Sequence, residues 1–213
     1  MKKTVFLAIL AYFFFKIDVN AQESPQIGIF GGYTFPGGVF TDLHDFSYKP
    51  VNNAGIFAEF DRLDHLYMNT GIIYSQEESG PITLSPEVKI PKDFTSNMTF
   101  DYLQIYGKLK YSYRLVDHVN VYYNVGLYGG YLLYGSYTEN NDKINASSDM
   151  HHGNGGLLGG VGITLNISKL KVNLGADANY GFFYTVKDLP YRGTIYAAGV
   201  RTSLGISYPI DLE

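Results

Sequence analysis

Eight stretches of this chain alternate, residue by residue, between an apolar row and a row of Gly, Asn, Ser and Tyr with a few charges. A period of two sustained this often is the signature of strands. The clearest stretch is 170–184, where Leu170, Val172, Leu174, Ala176, Ala178, Tyr180, Phe182 and Tyr184 share one row against Lys171, Asn173, Gly175, Asp177, Asn179 and Gly181. Successive side chains of a strand point to opposite sides, so one face is greasy and the other polar. Stretch 119–133 repeats the pattern, with Val119, Val121, Tyr123, Val125, Leu127 and Tyr131 opposed to Asn120, Tyr122, Asn124, Gly126 and Tyr128, and 196–208 does the same. Weaker stretches at 26–33, 53–60, 66–76, 100–115 and 155–166 complete the eight. Most reach the roughly 9–11 residues that a tilted strand needs to cross a bilayer.

The connections alternate as strictly as the residues. Segments 34–52, 77–99, 136–154 and 186–194 are long, whereas 61–65, 116–118 and 167–169 are tight. Outer-membrane barrels carry short periplasmic turns and longer extracellular loops. The expectation is therefore an all-β fold: an eight-stranded antiparallel up-and-down transmembrane β-barrel with four long extracellular loops, short periplasmic turns and both termini in the periplasm.

Alternation by itself also fits a soluble barrel whose apolar row points inward around a ligand. The polar row separates the two. The outer face of a soluble barrel carries dense charge, but here the row is mostly Gly, Asn, Ser and Tyr, with only Glu59, Lys108, Lys110, Arg114, Lys171, Asp177 and Arg201 among them. Charged residues make up 17% of the chain, below the roughly 25% of soluble domains. The apolar row ends in aromatics such as Tyr180, Phe182, Tyr184, Tyr196 and Tyr208, as interfacial girdles do. The apolar row is thus assigned to lipid and the polar row to the lumen.

An eight-stranded lumen is only just wide enough to be filled by side chains, and unpaired charge there is costly. Glu59, Lys108, Lys110, Asp177 and Arg201 are accordingly expected to form a lumen charge network that plugs the barrel, with Arg114 and Lys171 nearer the rims.

Met1-Lys2-Lys3, an apolar run of 12 residues from Thr4 to Phe15, and Val19 and Ala21 ahead of Gln22 read as a signal peptide over 1–21, leaving a barrel domain over 22–213. The run is too short to span a membrane as a helix. Without it the chain holds 13 basic and 19 acidic residues, which argues against nucleic acid as a partner. No Cys is present, so neither a disulfide frame nor thiolate chemistry is available.

These residues resemble the PorT-like outer-membrane β-barrel proteins common in Bacteroidetes. The resemblance lies in Val19-Asn20-Ala21-Gln22, in Phe100-Asp101-Tyr102-Leu103-Gln104-Ile105 opening a strand after a long loop, and in Leu109-Lys110-Tyr111. It continues in the Gly-rich run from Val125 to Tyr131 and in Leu204-Gly205-Ile206-Ser207-Tyr208. It covers most of 22–213 through strand grammar and contains no catalytic signature. It implies an outer-membrane location, with a link to secretion of surface proteins in some members. Such barrels commonly end on an aromatic residue, whereas this chain continues past Tyr208 to Pro209-Ile210-Asp211-Leu212-Glu213.

Chemistry-bearing side chains are sparse. His65 and His118 fall at tight turns, and His44, His151 and His152 fall in long segments, where Asp42-Leu43-His44-Asp45 and Asp149-Met150-His151-His152 are the nearest approach to an acid–base pair. Nothing fixes their mutual geometry, and the Gly pairs sit inside strand patterns rather than ahead of helices, so they are not phosphate loops. The chain reads as a non-enzymatic monomer without cofactor or metal. Its partners are outer-membrane lipid and an envelope or secretion-system protein met by the long loops; the alternative is a small pore or solute conduit. Phe35, Phe40, Phe46 and Tyr48 make segment 34–52 a candidate contact surface.

Overall fold

The computed structural model describes residues 24–40, 50–63, 65–79, 98–139, 142–145, 152–184 and 195–210; the expected signal peptide lies outside them. Among the described residues nine strands are formed: β1 (Gln26–Phe40), β2 (Val51–Leu63), β3 (Leu66–Ser79), β4 (Met98–Val116), β5 (Val119–Glu139), β6 (Asp142–Asn145), β7 (Gly153–Ile167), β8 (Leu170–Tyr184) and β9 (Ile195–Pro209). Eight are staves of one antiparallel cylinder. Their order is β4-β3-β2-β1-β9-β8-β7-β5, and β5 pairs with β4 to close the ring. Closure matters because no water is present in the hydrocarbon to satisfy an open strand edge. The ninth strand, β6, was expected as loop. It folds back on the top of β5, with Ser136 opposite Asn145 and Glu139 opposite Asp142.

The tight ends follow the sequence. Residues 117–118 and 168–169 are two-residue hairpin turns, the commonest way to join antiparallel strands. His65, His118 and Ser168 adopt positive φ of 71°, 67° and 56°, a conformation L-residues with a Cβ rarely take. Two of these turns are tied to the neighbouring hairpin: the carbonyl of His65 accepts from the Ser112 amide and that of His118 from the Asn166 amide, each at 2.8 Å.

The outward row matches the lipid assignment. Ile29, Ile56, Ile72 and Ile105 are adjacent across β1, β2, β3 and β4 and all are exposed. Tyr113, Tyr123 and Tyr208 lie below this aliphatic waist, on the side of the tight turns, and Tyr33, Tyr74, Tyr131 and Tyr180 lie above it. Tyr111 and Tyr123 stack with ring centroids 5.2 Å apart.

The upper boundaries differ from expectation. β1 runs to Phe40 instead of ending at Tyr33, β3 runs to Ser79, and β5 runs to Glu139. Above the bilayer both faces of a strand meet water, so the ladder continues while the pattern that reveals it fades. Phe35, expected in a loop, is on the outward row of β1 opposite Val200 of β9; it belongs to the upper belt. Phe40 is the last residue of β1, opposite Ile195, and Phe46 and Tyr48 lie outside the described residues. Pro36 is accommodated because the β1–β2 ladder stops at Thr34 and Val51, and a strand proline needs a side without a donor requirement.

Ile105 sits midway along the outward row of β4. Its replacement by Arg is expected to destabilise the barrel by about 2–4 kcal/mol, measured by urea unfolding in phospholipid vesicles and followed by circular dichroism. An Ile105→Arg protein as stable as the parent would show that this row does not meet lipid.

Candidate functional site

Strand number and stagger fix the size of the lumen. A walk along paired residues from Val119 of β5 passes Leu165, Val172, Ile206, Ile29, Ile56, Ile72 and Ile105 and returns to β5 at Gly129, ten residues further along. With strands about 4.8 Å apart rising about 3.3 Å per residue, a stagger of ten over eight staves gives a tilt of about 40° and a backbone radius of about 8 Å. Inward side chains from opposite walls therefore meet.

The inward row of β4 reads the lumen from end to end: Arg114, Ser112, Lys110, Lys108, Tyr106, Gln104, Tyr102 and Phe100. Arg114 is at the periplasmic mouth and reaches the exposed Asp117 of the adjacent turn at 2.8 Å. Lys110 and Lys108 form an ionic layer with carboxylates from other staves. The Lys110 ammonium is 3.0 Å from Oε2 and 3.3 Å from Oε1 of Glu59 on β2, which also accepts from Asn69 Nδ2 at 3.1 Å. Lys108 Nζ is 2.8 Å from Oδ2 of Asp177 on β8, whose Oδ1 accepts from Asn124 Nδ2 at 2.9 Å. Arg201 stands opposite Asp177 in the β8–β9 register and donates from Nη2 to Gln104 Oε1 at 2.9 Å across the lumen. All five predicted charges thus occupy one layer and the level above it. Lys171 lies over the Tyr67 ring, 5.6 Å from its centroid.

Glycines make these reaches possible. Asn124, Gly160 and Asp177 are consecutive in one row across β5, β7 and β8, and a Cβ on Gly160 would collide with Asp177 Oδ1. Likewise Gly162 and Gly175 are paired neighbours, and the Tyr122 ring occupies the space their side chains would need. From there Tyr122 receives Lys110, whose ammonium sits 4.5 Å from the ring centroid.

Above the ions an aromatic and aliphatic cluster crosses the lumen. Phe57, Ile73, Tyr106, Tyr128 and Leu158 form a buried cluster with Phe30 packed against it, and Phe30 approaches Tyr106 edge-on at 6.5 Å. Tyr102 and Leu132 are almost fully buried above them, 1% and 2% exposed. A cavity of about 50 Å³ remains between this cluster and the ionic layer. The polar companions Asn69, Asn124, Asn173 and Gln104 and the plug aromatics Phe30 and Phe57 were not singled out from sequence. Their inward parity was legible, but which of them would meet across the cylinder depends on its stagger.

Of the described histidines two share one space and the third stands apart. His65 and His118 line the periplasmic mouth, a space of about 280 Å³, and His152 stacks on Tyr131 at 5.6 Å. His44 and His151 are outside the described residues. Among the described residues no three His, Cys, Asp or Glu side chains are placed to hold a metal.

Glu59→Gln leaves the Lys110 ammonium buried without its carboxylate and is expected to cost on the order of 3 kcal/mol, with most of that recovered in Glu59→Gln/Lys110→Met. Urea unfolding of the two singles and the double measures this coupling; strictly additive effects would show that the pair is not coupled.

Three comparisons bear on this architecture. The sequence profile of the outer membrane protein β-barrel domain matches residues 20–186. No curated protein matches the chain in sequence. Among solved structures, the chain is similar to Neisserial surface protein A (TM-score 0.54, 12% identity, 87% of this chain and 97% of that one). It is also similar to the outer membrane protein OprG of Pseudomonas aeruginosa (TM-score 0.55, 10% identity, 92% and 100%) and to a major outer membrane protein of Thermus thermophilus (TM-score 0.51, 13% identity, 87% and 99%). Identities this low speak to the fold alone.

Proposed function

Because the chain belongs to the outer membrane protein β-barrel domain family and so lies in the outer membrane, we propose that it serves there as a closed, non-enzymatic barrel that holds extracellular loops toward a partner, as a binding protein or as an accessory to a secretion or envelope machine. The observation that carries this reading is the packing of the lumen. Two ion pairs, their amide companions and an aromatic cluster fill the cross-section, and the space between them holds only about 50 Å³, room for a few waters. A pathway for a solute would have to break both layers at once.

What the barrel offers instead is its upper rim. β1, β3 and β5 rise past the upper aromatic belt to Phe40, Ser79 and Glu139, and β6 widens the rim beside β5. Strands carried beyond the bilayer hold the ends of the long loops at fixed positions, and loops set on a rigid scaffold are where binding residues concentrate. The resemblance to PorT-like barrels supports a secretion-linked partner within this reading.

Reconstituted in planar bilayers, the purified protein is expected to give no sustained conductance; deletion of its gene is expected to leave permeability to small solutes unchanged, and cysteines placed in segment 80–97 of the intact protein are expected to crosslink to an envelope protein. A stable conductance of porin size, or a permeability defect in the deletion strain, would make the chain a solute conduit.

A further inference from the structure

We infer that the lipid-facing wall carries a binding groove for one acyl chain of a glycerophospholipid from the periplasmic leaflet. A groove of about 750 Å³ crosses that wall over β4, β5, β7, β8 and β9 and is lined mainly by apolar side chains. Its residues come from two adjacent outward rows. One row runs from Tyr113 on β4 to Leu174 on β8, and the other runs from Tyr123 on β5 through Val161 on β7 to Ala176 on β8 and Thr202 on β9. Tyr113, Tyr123, Val161 and Leu174 are exposed and form its walls, whereas the second row drops to the short side chains of Ala176 and Thr202, which form its floor. The Thr202 hydroxyl donates to the Tyr33 carbonyl at 3.3 Å, so the polar atom of the floor is engaged with the backbone.

Because the chain lies in the outer membrane, this wall is bathed in hydrocarbon, and a concavity in it is either filled by chains or left empty. An empty one forfeits the dispersion contacts of every atom that lines it. Association inside a bilayer rests on such packing and not on expulsion of water, and a chain lying in a groove touches protein on several sides where a chain on a convex wall touches it on one. A second copy of the barrel is convex and does not enter. The groove opens at Tyr113 and Tyr123, below the aliphatic waist on the side of the tight turns, where tyrosines place an apolar ring against lipid and a hydroxyl at the headgroups. From there strand tilt carries both rows upward across the wall. Five staves about 4.8 Å apart make the groove about 19 Å long, enough to lead one chain through its leaflet of a hydrocarbon core about 30 Å thick. This site belongs to the outer wall and holds whichever partner the loops meet.

The test is native mass spectrometry of the whole protein, taken from phosphatidylethanolamine vesicles into mild detergent, which is expected to show one retained phospholipid per chain. Ala176→Phe and, from the neighbouring stave, Thr202→Leu fill the floor and are each expected to lose that lipid while circular dichroism shows the barrel folded. Ile56→Phe adds bulk to the lipid face away from the groove and is expected to keep it. With a photoactivatable phosphatidylethanolamine, a reactive group near the ester end of the acyl chain is expected to label Tyr113 or Tyr123, and one at the chain terminus Ala176 or Thr202. Absence of a retained lipid on the parent protein, undiminished retention in either folded filled variant, equal loss in Ile56→Phe, or the reverse order of labelling, as a lipid of the extracellular leaflet would give, would each overturn the site.

Discussion

Backbone hydrogen bonding in a medium without water is the constraint on which the rest of this structure depends. Every amide and carbonyl within the bilayer needs a partner from another strand, and the only arrangement that leaves no edge is a ring. Here the ring has eight staves, closed between β4 and β5. Once the register returns to β5 ten residues higher, the tilt and radius are set, and with them the volume available to every inward side chain. The lumen is therefore treated by the chain as a protein interior, and it is packed as one.

That interior explains an arrangement that would be wasteful elsewhere. Buried ion pairs seldom stabilise a fold more than apolar packing would, yet here Glu59 with Lys110 and Asp177 with Lys108 sit at the level where polar staves face one another. Each carboxylate also accepts from an asparagine, Asn69 or Asn124, so the pairs are hydrogen-bonded on more than one side. The aromatic cluster lies above this layer, with a cavity of only about 50 Å³ between them. A closed interior of this kind is what supports the proposed role of the barrel as a mount for its loops.

The rim is also where the sequence was least legible. Within the bilayer the two rows differ in chemistry, so stretch 170–184 matched β8 residue for residue. Past the upper belt the rows no longer face different solvents. Phe35, in that belt where the pattern begins to fade, read as a loop aromatic although it is paired with β9, and residues 142–145 gave no strand signal although they pair with β5. Hydrogen-bond partners, and not side-chain polarity, decide the ends of these strands.

By itself the sequence determined the eight staves of the barrel, their antiparallel order, the face that meets lipid and the five charges that point inward, because each of these follows from a period of two and from the lengths of the connections. Only the tertiary structure decided which of those charges meet. Lys110 and Glu59 are 51 positions apart, Lys108 and Asp177 69 apart, and Arg201 and Gln104 97 apart; local pattern carries no information on such pairs. They are chosen by the stagger of the closed ring and by glycines such as Gly160, which let side chains pass over a neighbouring stave. Parity says which way a residue points, and the register of the whole cylinder says whom it faces.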